Sequence, residues 1–279
     1  MEQFVQSANP PSPWRTTGSV YQYTRFETLR GMLGGAVIDT STRSPRLGDL
    51  WATSSFHMND SQEFVRGKEV LQFAISQLPD DGVRRRMGLA LKDSNGLDVY
   101  CACFSSVDDD LSQWRGYGEN GAGVCLEFDL SGLLNSINGV GYWVIYGRPT
   151  DQVIQTTVAT GLVQYIHDAI TNLLPDPTPD AVFNEIREQL VEIWPALALA
   201  FKHSAFTAEA EFRIVYSAAI GDPAPVCFRP APVVPFVKLK IRGGVQLPIK
   251  SIRLGPAVST ELNCLSLRLA LDRLGLSQE

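Results

Sequence analysis

The sequence has little charge, few histidines and no long apolar run. Charged residues make up 19% of its 279 positions and hydrophobic residues 44%, a balance that predicts a folded core rather than intrinsic disorder. No uncharged apolar run approaches the roughly 18 residues of a membrane-spanning helix, so we expect no membrane partner. The first 13 residues lack both the basic and the apolar part of a signal peptide. Together these absences predict a cytoplasmic protein.

The five cysteines are an odd number at irregular spacing, which argues against a disulfide scaffold and for a reducing compartment. Cys101 and Cys103 share one face of a predicted strand, but no other Cys or His pair is spaced to complete a zinc site. We therefore expect buried free thiols and no metal. The net charge of −6 disfavours bulk binding to the phosphates of nucleic acid.

Strands and helices are predicted in an irregular order along the chain. Alternating or short apolar runs predict strands at 20–24, 50–53, 99–105, 123–129, 140–146, 211–217, 234–241 and 250–254. Helical spacing of apolar residues predicts helices at 26–33, 60–78, 151–174, 180–202 and 260–274. This order predicts an α+β fold with a mixed or antiparallel central sheet and flanking helices, not a parallel doubly wound sheet.

The domain organisation is predicted to be simple. Residues 1–18 are expected to form a flexible N-terminal tail, and residues 19–279 a single α+β domain. Within that domain, residues 151–202 are predicted to form two helices joined by a proline-rich turn, and we expect this pair to be a helical-pair insertion beside the sheet. Residues 221–235 contain five prolines, so they are expected to form an extended loop or an edge.

A glycine motif occurs in the middle of the chain. Gly116, Gly118 and Gly121 spell G-x-G-x-x-G. In a dinucleotide-binding fold this motif follows a strand and opens a helix, whereas here a helical stretch precedes it and a strand follows. We therefore predict a turn that leads into a strand rather than a dinucleotide loop.

The first of three polar clusters lies at a strand-to-helix junction, from Trp51 to Glu63. It brings hydroxyl side chains, His57 and an Asn-Asp pair to the place where a helix is predicted to begin. The free N–H groups and the positive dipole end of a helix suit an anionic ligand, so Asn59 and Glu63 are candidate binding residues. Alternatively, these two side chains only cap the helix.

The second cluster contains two aromatic residues. Trp114 and Tyr117 are three apart on a predicted helical turn and therefore share a face. They are candidates to stack on a base or on a nicotinamide ring. The alternative is that both rings belong to the hydrophobic core.

The third cluster joins a helix end to a strand. Glu209 and Glu211 are two apart in extended chain, so they point the same way. Like charges this close raise each other's pKa or need a cationic partner, and Arg213 is next on that face. The cluster is either a catalytic carboxylate pair or a structural ladder of glutamate and arginine. Strand entrances are usually partly wet, so we expect Glu211 to be partly exposed.

Seven short motifs occur in one order along the chain. They are Tyr21-Gln-Tyr23 with Phe26, Met58-Asn-Asp-Ser-Gln-Glu63, Cys103-Phe-Ser105, Trp114-Arg-Gly-Tyr-Gly118, Gly123-Val-Cys-Leu-Glu-Phe-Asp129, Glu209-Ala-Glu-Phe-Arg213 and Leu247-Pro-Ile-Lys-Ser-Ile-Arg-Leu-Gly-Pro256. The series resembles a bacterial family of proteins, domain-of-unknown-function family 2971. The resemblance spans residues 20–274, nearly the whole chain, and by itself implies no function.

The chain is also similar, more weakly, to ADP-ribosyltransferases. The similarity lies in a Tyr-x-Tyr-Thr first strand, a short helix, a second strand with hydroxyls and a late Glu-x-Glu. It implies an ADP-ribosyltransferase-like sheet, NAD as co-substrate and transfer of ADP-ribose to an unidentified macromolecular target. Bacterial toxins and anti-phage effectors are the kinds of protein in which such an activity would occur.

This similarity also implies roles for individual residues. Glu211 corresponds to the glutamate that holds the ribose 2′-hydroxyl, and Glu209 would deprotonate or position the acceptor. Gln22 stands where these enzymes carry His or Arg. The implied NAD contacts are Gln22, Tyr23 and Thr24 on the first strand and Thr53 and Ser54 on the second, and the first two polar clusters add Asn59, Glu63, Trp114 and Tyr117.

Two other functions remain open from the sequence. Gln22 at the His or Arg position favours a non-catalytic module that binds NAD, another nucleotide or a partner on the same fold. A metal-dependent hydrolase or nuclease would instead need Asp60, Glu63, Glu209 and Glu211 to converge. The acids and aromatics in the matched motifs favour ADP-ribosyl transfer over the binding module.

Overall fold

A computed structural model of the chain describes residues 16–33, 49–58, 62–94, 98–147, 152–173, 180–217, 226–229, 233–239 and 247–273. Its strands are β1 (Ser19–Thr24), β2 (Leu50–Ser54), β3 (Val99–Ser105), β4 (Val124–Asp129), β5 (Val140–Trp143), β6 (Ile145–Gly147), β7 (Phe201–His203), β8 (Glu211–Ser217), β9 (Val226–Arg229), β10 (Val234–Leu239) and β11 (Ile249–Leu254). Its helices are α1 (Phe26–Met32), α2 (Glu63–Ser76), α3 (Asp81–Asp93), α4 (Leu111–Gly116), α5 (Leu130–Ser136), α6 (Gln152–Leu173), α7 (Asp180–Ala198) and α8 (Glu261–Arg273).

Nine of the described strands form one sheet. Its path runs β11–β4–β1–β3–β2–β10–β9, and β8 and β5 extend it from the other edge of β3. The neighbouring strands of this sheet run antiparallel, whereas β6 and β7 pair separately and in parallel. The predicted α+β class with a mostly antiparallel sheet is therefore confirmed.

The sheet divides at β3. Along one edge of β3, β8 pairs with its whole length. Along the other edge, β1 pairs at one end, where Tyr21 lies opposite Ser105, and β2 pairs at the opposite end, where Thr53 lies opposite Cys101. Two arms of the sheet, β1–β4–β11 and β2–β10–β9, separate between these points. We call the gap between the arms the fork.

The two faces of the sheet are covered differently. Ala52, Phe104 and Phe212 belong to the main hydrophobic core, to which α1 and α5 also contribute. On the opposite face, Val99 and Val215 pack against the end of α7. Because side chains alternate along a strand, this second face also carries polar residues that border the fork, among them Ser105 and Glu211.

Four helices form a layer with a core of its own. α2, α3, α6 and α7 contribute to it Leu71, Met87, Val163 and Trp194, all buried. The two helices predicted as an insertion at 151–202 are therefore half of this layer. Their second helix ends at Ala198 rather than at residue 202, because the residues that follow pair with β6. In the described part of the chain, none of the helices has the length and apolarity needed to cross a bilayer.

Candidate functional site

A cavity of about 420 Å³ opens in the fork. Both arms of the sheet and the unpaired stretch of β3 line it. Its volume lies within the range of small-molecule pockets, roughly 300–1,000 Å³. Its polar, charged and aromatic lining residues include Tyr21, Gln22, Tyr23, Thr24, Arg25, Trp51, Thr53, His57, Glu63, Ser105, Gln113, Tyr117, Lys202, Glu209, Glu211 and Arg229.

Strand register places distant parts of the chain on one face of the sheet. Tyr21 lies opposite Ser105, and Ser105 lies opposite Glu211, so these three side chains point the same way. Tyr23 is two residues after Tyr21 and shares that face. Both Tyr23 and Glu211 line the cavity, although 188 positions separate them along the chain (211 − 23).

Lys202 is at the centre of a buried group of charges. Its Nζ lies 2.8 Å from Glu63 Oε1, 2.6 Å from Glu209 Oε2 and 3.1 Å from Glu211 Oε2. Burial alone would lower the pKa of Lys202, but the Glu211 and Glu63 carboxylates outweigh burial and raise it. Lys202 therefore stays charged and holds the three carboxylates together.

Arg213 is the second cation of this group and is fully buried. Its Nε and Nη2 donate to the two carboxylate oxygens of Glu211, at 2.7 and 2.8 Å. Nη2 also donates to Glu63 Oε2 at 2.6 Å, and Nη1 to the backbone oxygen of Leu199 at 2.6 Å. Burial would raise the pKa of Glu211, but Arg213 and Lys202 lower it to about 2. Glu211 is therefore an ionised carboxylate with a partner on each oxygen.

Glu63, Glu209, Glu211, Lys202 and Arg213 together form what we call the carboxylate cluster. It contains three acids and two cations. The expectation that Glu211 is partly wet is wrong, because its side chain is 6% exposed and the two cations cover its oxygens. Glu209 is 18% exposed and is thus the carboxylate of the cluster most open to a ligand.

A tight turn positions the two glutamates. Glu209 ends a 3₁₀ turn that begins at Ser204, and Ala210 then adopts a left-handed backbone with φ of 43°, which is unfavourable for a residue with a Cβ. Ser105 Oγ holds the turn by donating to the backbone oxygen of Glu209 at 2.8 Å. The backbone N–H of Glu211 donates to the Tyr146 hydroxyl at 2.9 Å. These bonds present both carboxylates at the same end of the cavity.

The two aromatic residues of the second predicted cluster have different roles. Tyr117 lines the cavity and donates its hydroxyl to Glu209 Oε1 at 2.9 Å. Trp114 is 2% exposed and meets Tyr23 edge-on, with ring centroids 5.0 Å apart. Its Nε1 donates to Asp109 Oδ1 at 2.9 Å. Trp114 therefore supports Tyr23 within the core, and only Tyr117 is available to a ligand.

Cations lie at the other end of the cavity. Arg229 on β9 donates through Nη2 to Thr53 Oγ1, and its guanidinium lies 5.6 Å from the ring centroid of Phe236. No carboxylate among the described residues forms an ion pair with it. Burial and the nearby Arg25 both lower the pKa of Arg229.

Three buried polar atoms that belong to cavity-lining residues have no hydrogen-bond partner within the described ranges. They are Arg229 Nε, Trp51 Nε1 and Gln22 Oε1. The amide nitrogen of Gln22 makes a long contact of 3.5 Å with the backbone oxygen of Cys103, in the unpaired stretch of β3. Because buried polar groups in proteins are almost always hydrogen-bonded, these atoms mark positions where a ligand could complete the bonding.

Comparison with protein families gives a match over residues 113–214, to the family described as Protein of unknown function (DUF2971). The resemblance to this family is confirmed over that segment. Neither curated proteins nor solved structures gave a match. The DUF2971 segment contains Tyr117 and, apart from Glu63, the whole carboxylate cluster. The cavity-lining residues of β1, β2, β3 and β9 lie outside it.

Most of the predicted site residues meet at this cavity. Those that line it are Gln22, Tyr23, Thr24, Thr53, Glu63, Tyr117, Glu209 and Glu211. Ser54 is buried and does not line it. Trp114 does not line it either. Asn59 and Asp60 lie outside the described residues.

The carboxylate cluster is arranged around cationic side chains. Glu63, Glu209 and Glu211 converge, as the hydrolase hypothesis requires. However, Lys202 and Arg213 occupy the carboxylate oxygens that a metal ion would take. Over the described ranges, no group of three His, Cys, Asp or Glu side chains is placed to hold a metal ion.

Sequence reasoning missed Lys202, Arg229 and Trp51, three of the residues that line the cavity. Lys202 was predicted to be the last residue of a helix, whereas it lies on β7. Arg229 stands in the proline-rich segment predicted to be a loop or an edge, and β9 is the edge strand there. Trp51 belonged to the first cluster but was not singled out. No local sequence pattern pointed to Arg229, because in β9 the apolar Val226 and Phe228 are exposed whereas Arg229 is only partly exposed.

Proposed function

We propose that the protein binds NAD in this cavity and transfers its ADP-ribosyl group to an acceptor. The observation that carries the proposal is that Glu209 and Glu211 line one end of a ligand-sized cavity, where Glu209 accepts a hydrogen bond from Tyr117. The similarity of the sequence to ADP-ribosyltransferases assigns its late Glu-x-Glu to these positions. The fork adds support, because it offers a nucleotide a cleft with polar side chains on both arms.

The proposed reaction breaks the bond between C1′ of the nicotinamide ribose and the ring nitrogen. Nicotinamide leaves with the bonding electron pair, positive charge develops on the ribose, and the acceptor bonds to C1′ and loses a proton. Glu211, with a pKa of about 2, is ionised at neutral pH and suits the developing charge. Glu209 is the more exposed carboxylate and suits the acceptor, either as its base or as its positioning group.

Gln22 takes the place at which ADP-ribosyltransferases carry His or Arg. Its Oε1 is buried without a partner among the described residues, so it can accept a hydrogen bond from a ribose hydroxyl. A neutral amide does not form an ion pair with a phosphate as Arg does. In this proposal Gln22 therefore contacts a ribose and leaves the phosphates to other side chains.

A second candidate function is a nucleotide-binding module without catalysis. The observation in its favour is that Arg213 and Lys202 already bind both oxygens of Glu211. A carboxylate held in this way is typical of a structural ion pair. A ribose hydroxyl would have to compete with two cations for it.

Incubation of the purified protein with NAD, with water as the acceptor, tests the proposal. Nicotinamide release is followed by chromatography for wild type, Glu209→Gln and the control Glu188→Gln, which changes an exposed residue of α7. We expect turnover in wild type and control, and a loss of roughly 10²–10³-fold in Glu209→Gln. NAD binding without turnover in wild type supports the binding module. Absence of NAD binding contradicts ADP-ribosyl transfer.

A further inference from the structure

The two ends of the cavity are far enough apart to contact different parts of one extended ligand. Arg229 is bonded to Thr53, and Thr53 lies opposite Cys101 on β3. Glu211 lies opposite Ser105, four residues further along β3, which is about 13 Å at 3.3 Å per residue. The Arg229 end and the carboxylate cluster are thus separate subsites.

The Arg229 end has an excess of positive charge. Arg25 also lines the cavity there, and its side chain is 68% exposed. Its Nε lies 3.6 Å from Glu119 Oε1. Burial lowers the pKa of Arg229, and Arg25 lowers it further as a nearby second cation. An anion bound beside the two guanidinium groups would remove this repulsion.

This end also offers unused hydrogen-bond donors. Arg229 Nε and Trp51 Nε1 are buried, and neither has a partner in the part of the chain that the structure describes. Guanidinium and indole nitrogens donate but do not accept, so the missing partner is an acceptor. The Trp51 ring is held by stacking on Phe236, with centroids 4.5 Å apart. An anionic oxygen is the acceptor that forms the strongest hydrogen bonds with such donors.

We infer that Arg229, Arg25 and Trp51 form a subsite for the diphosphate group of a nucleotide. The inference rests on the proposed function for the identity of the nucleotide, and it deepens that function by giving the ligand a direction. The diphosphate lies at the Arg229 end, and the nicotinamide ribose lies at the carboxylate cluster. The three acids of that cluster disfavour phosphate there. The cation that β1 lacks, because it carries Gln22, comes instead from β9.

Calorimetric titration of the full-length protein with ADP, inorganic pyrophosphate and adenosine tests the subsite. Arg229→Met should weaken ADP and pyrophosphate binding by roughly 10- to 100-fold and leave adenosine binding unchanged. Trp51→Phe keeps an aromatic ring but removes the N–H, and should weaken ADP binding by roughly 2- to 10-fold. The control Arg187→Met removes a half-exposed arginine that pairs with Asp93 outside the cavity. It should bind all three compounds as tightly as wild type.

Two outcomes overturn the subsite: wild type that binds neither ADP nor pyrophosphate, and Arg229→Met that binds ADP as tightly as wild type. NAD turnover on the same preparations separates the subsite from the proposed function. Arg229-dependent ADP binding without turnover keeps the subsite and rejects transfer. Turnover with unchanged NAD affinity in Arg229→Met keeps transfer and rejects the subsite. If Arg229→Met does not fold, as judged by circular dichroism, Trp51→Phe decides the test.

Discussion

Glu211 and Arg213 lie two residues apart on β8, and their buried side chains share two hydrogen bonds of 2.7 and 2.8 Å. Residues two apart on a strand share a face, so the pair follows directly from the E-x-R spacing. Lys202 and Glu63 reach this pair from β7 and α2. The cluster therefore joins the sheet to the helical layer as well as bordering the cavity.

Glu211→Gln should destabilise the protein. The amide keeps the shape of the side chain but removes the charge that faces fully buried Arg213. Breaking a buried ion pair by removing one partner costs about 3–5 kcal/mol. We expect a loss of this size in the free energy of unfolding at pH 7, measured by urea denaturation. The exposed control Glu188→Gln should change it by less than about 0.5 kcal/mol, and an equally small change in Glu211→Gln would contradict the ion pair.

The stability of wild type should fall at acid pH because of Glu211. Its pKa is lowered from 4.5 to about 2 on folding, so its contribution is complete above pH 4.5 and is lost as the pH falls towards 2. The difference between the two pKa values corresponds to about 3 kcal/mol. Urea denaturation from pH 6 to 2 should show a smaller loss in Glu211→Gln than in wild type. Parallel curves for the two proteins would show that Glu211 is not held ionised.

Lys202→Met should be destabilising in a pH-dependent way. It leaves three carboxylates with Arg213 as their one cation in the cluster, so their mutual repulsion raises at least one carboxyl pKa above its unfolded value. A raised pKa in the folded state makes the variant gain stability as the pH falls. We expect a loss of about 3–5 kcal/mol at pH 7 and a clearly smaller loss at pH 5. Lys92→Met changes an exposed lysine near the end of α3. It should leave the free energy of unfolding unchanged at both pH values.

Tyr117→Phe should separate ligand binding from folding. It removes the hydroxyl that donates to Glu209 Oε1 but keeps the ring that lines the cavity. We expect a stability loss of about 1 kcal/mol and NAD affinity weaker by roughly 3- to 10-fold, measured by calorimetry. Tyr165→Phe, on the exposed surface of α6, should change neither. Unaltered NAD affinity would assign Tyr117 a structural role only.

The secondary structure was predicted well where a local pattern was strong. The strands predicted at 99–105 and 211–217 agree with β3 and β8 to the residue. α3 was not predicted, although Asp80 caps it by accepting from the Val83 N–H at 2.7 Å. Its three consecutive arginines dilute the apolar pattern, and the buried residues of the helix are confined to its second half. A narrow apolar stripe of this kind is hard to detect without knowing which helices it packs against.

The common direction of the two glutamates could be predicted from their spacing in the sequence, but the cations that pair with them could not. Glu209 and Glu211 were predicted to point the same way because alternate residues of extended chain share a face. The expectation that Glu211 is partly exposed to water was wrong, because its side chain is buried. The cations that bury and pair it include Lys202, whose local sequence predicted a helix.

The sequence by itself determined the α+β class and the common face of Glu211 and Arg213, since both depend on periodicity within a few residues. Only the tertiary structure decided that β1 and β2 pair with opposite ends of one edge of β3, which opens the fork. It also decided that Arg213 meets Glu63, 150 positions away. Strand pairing and charge burial depend on contacts between residues far apart in the chain, and no local pattern in either segment specifies the other.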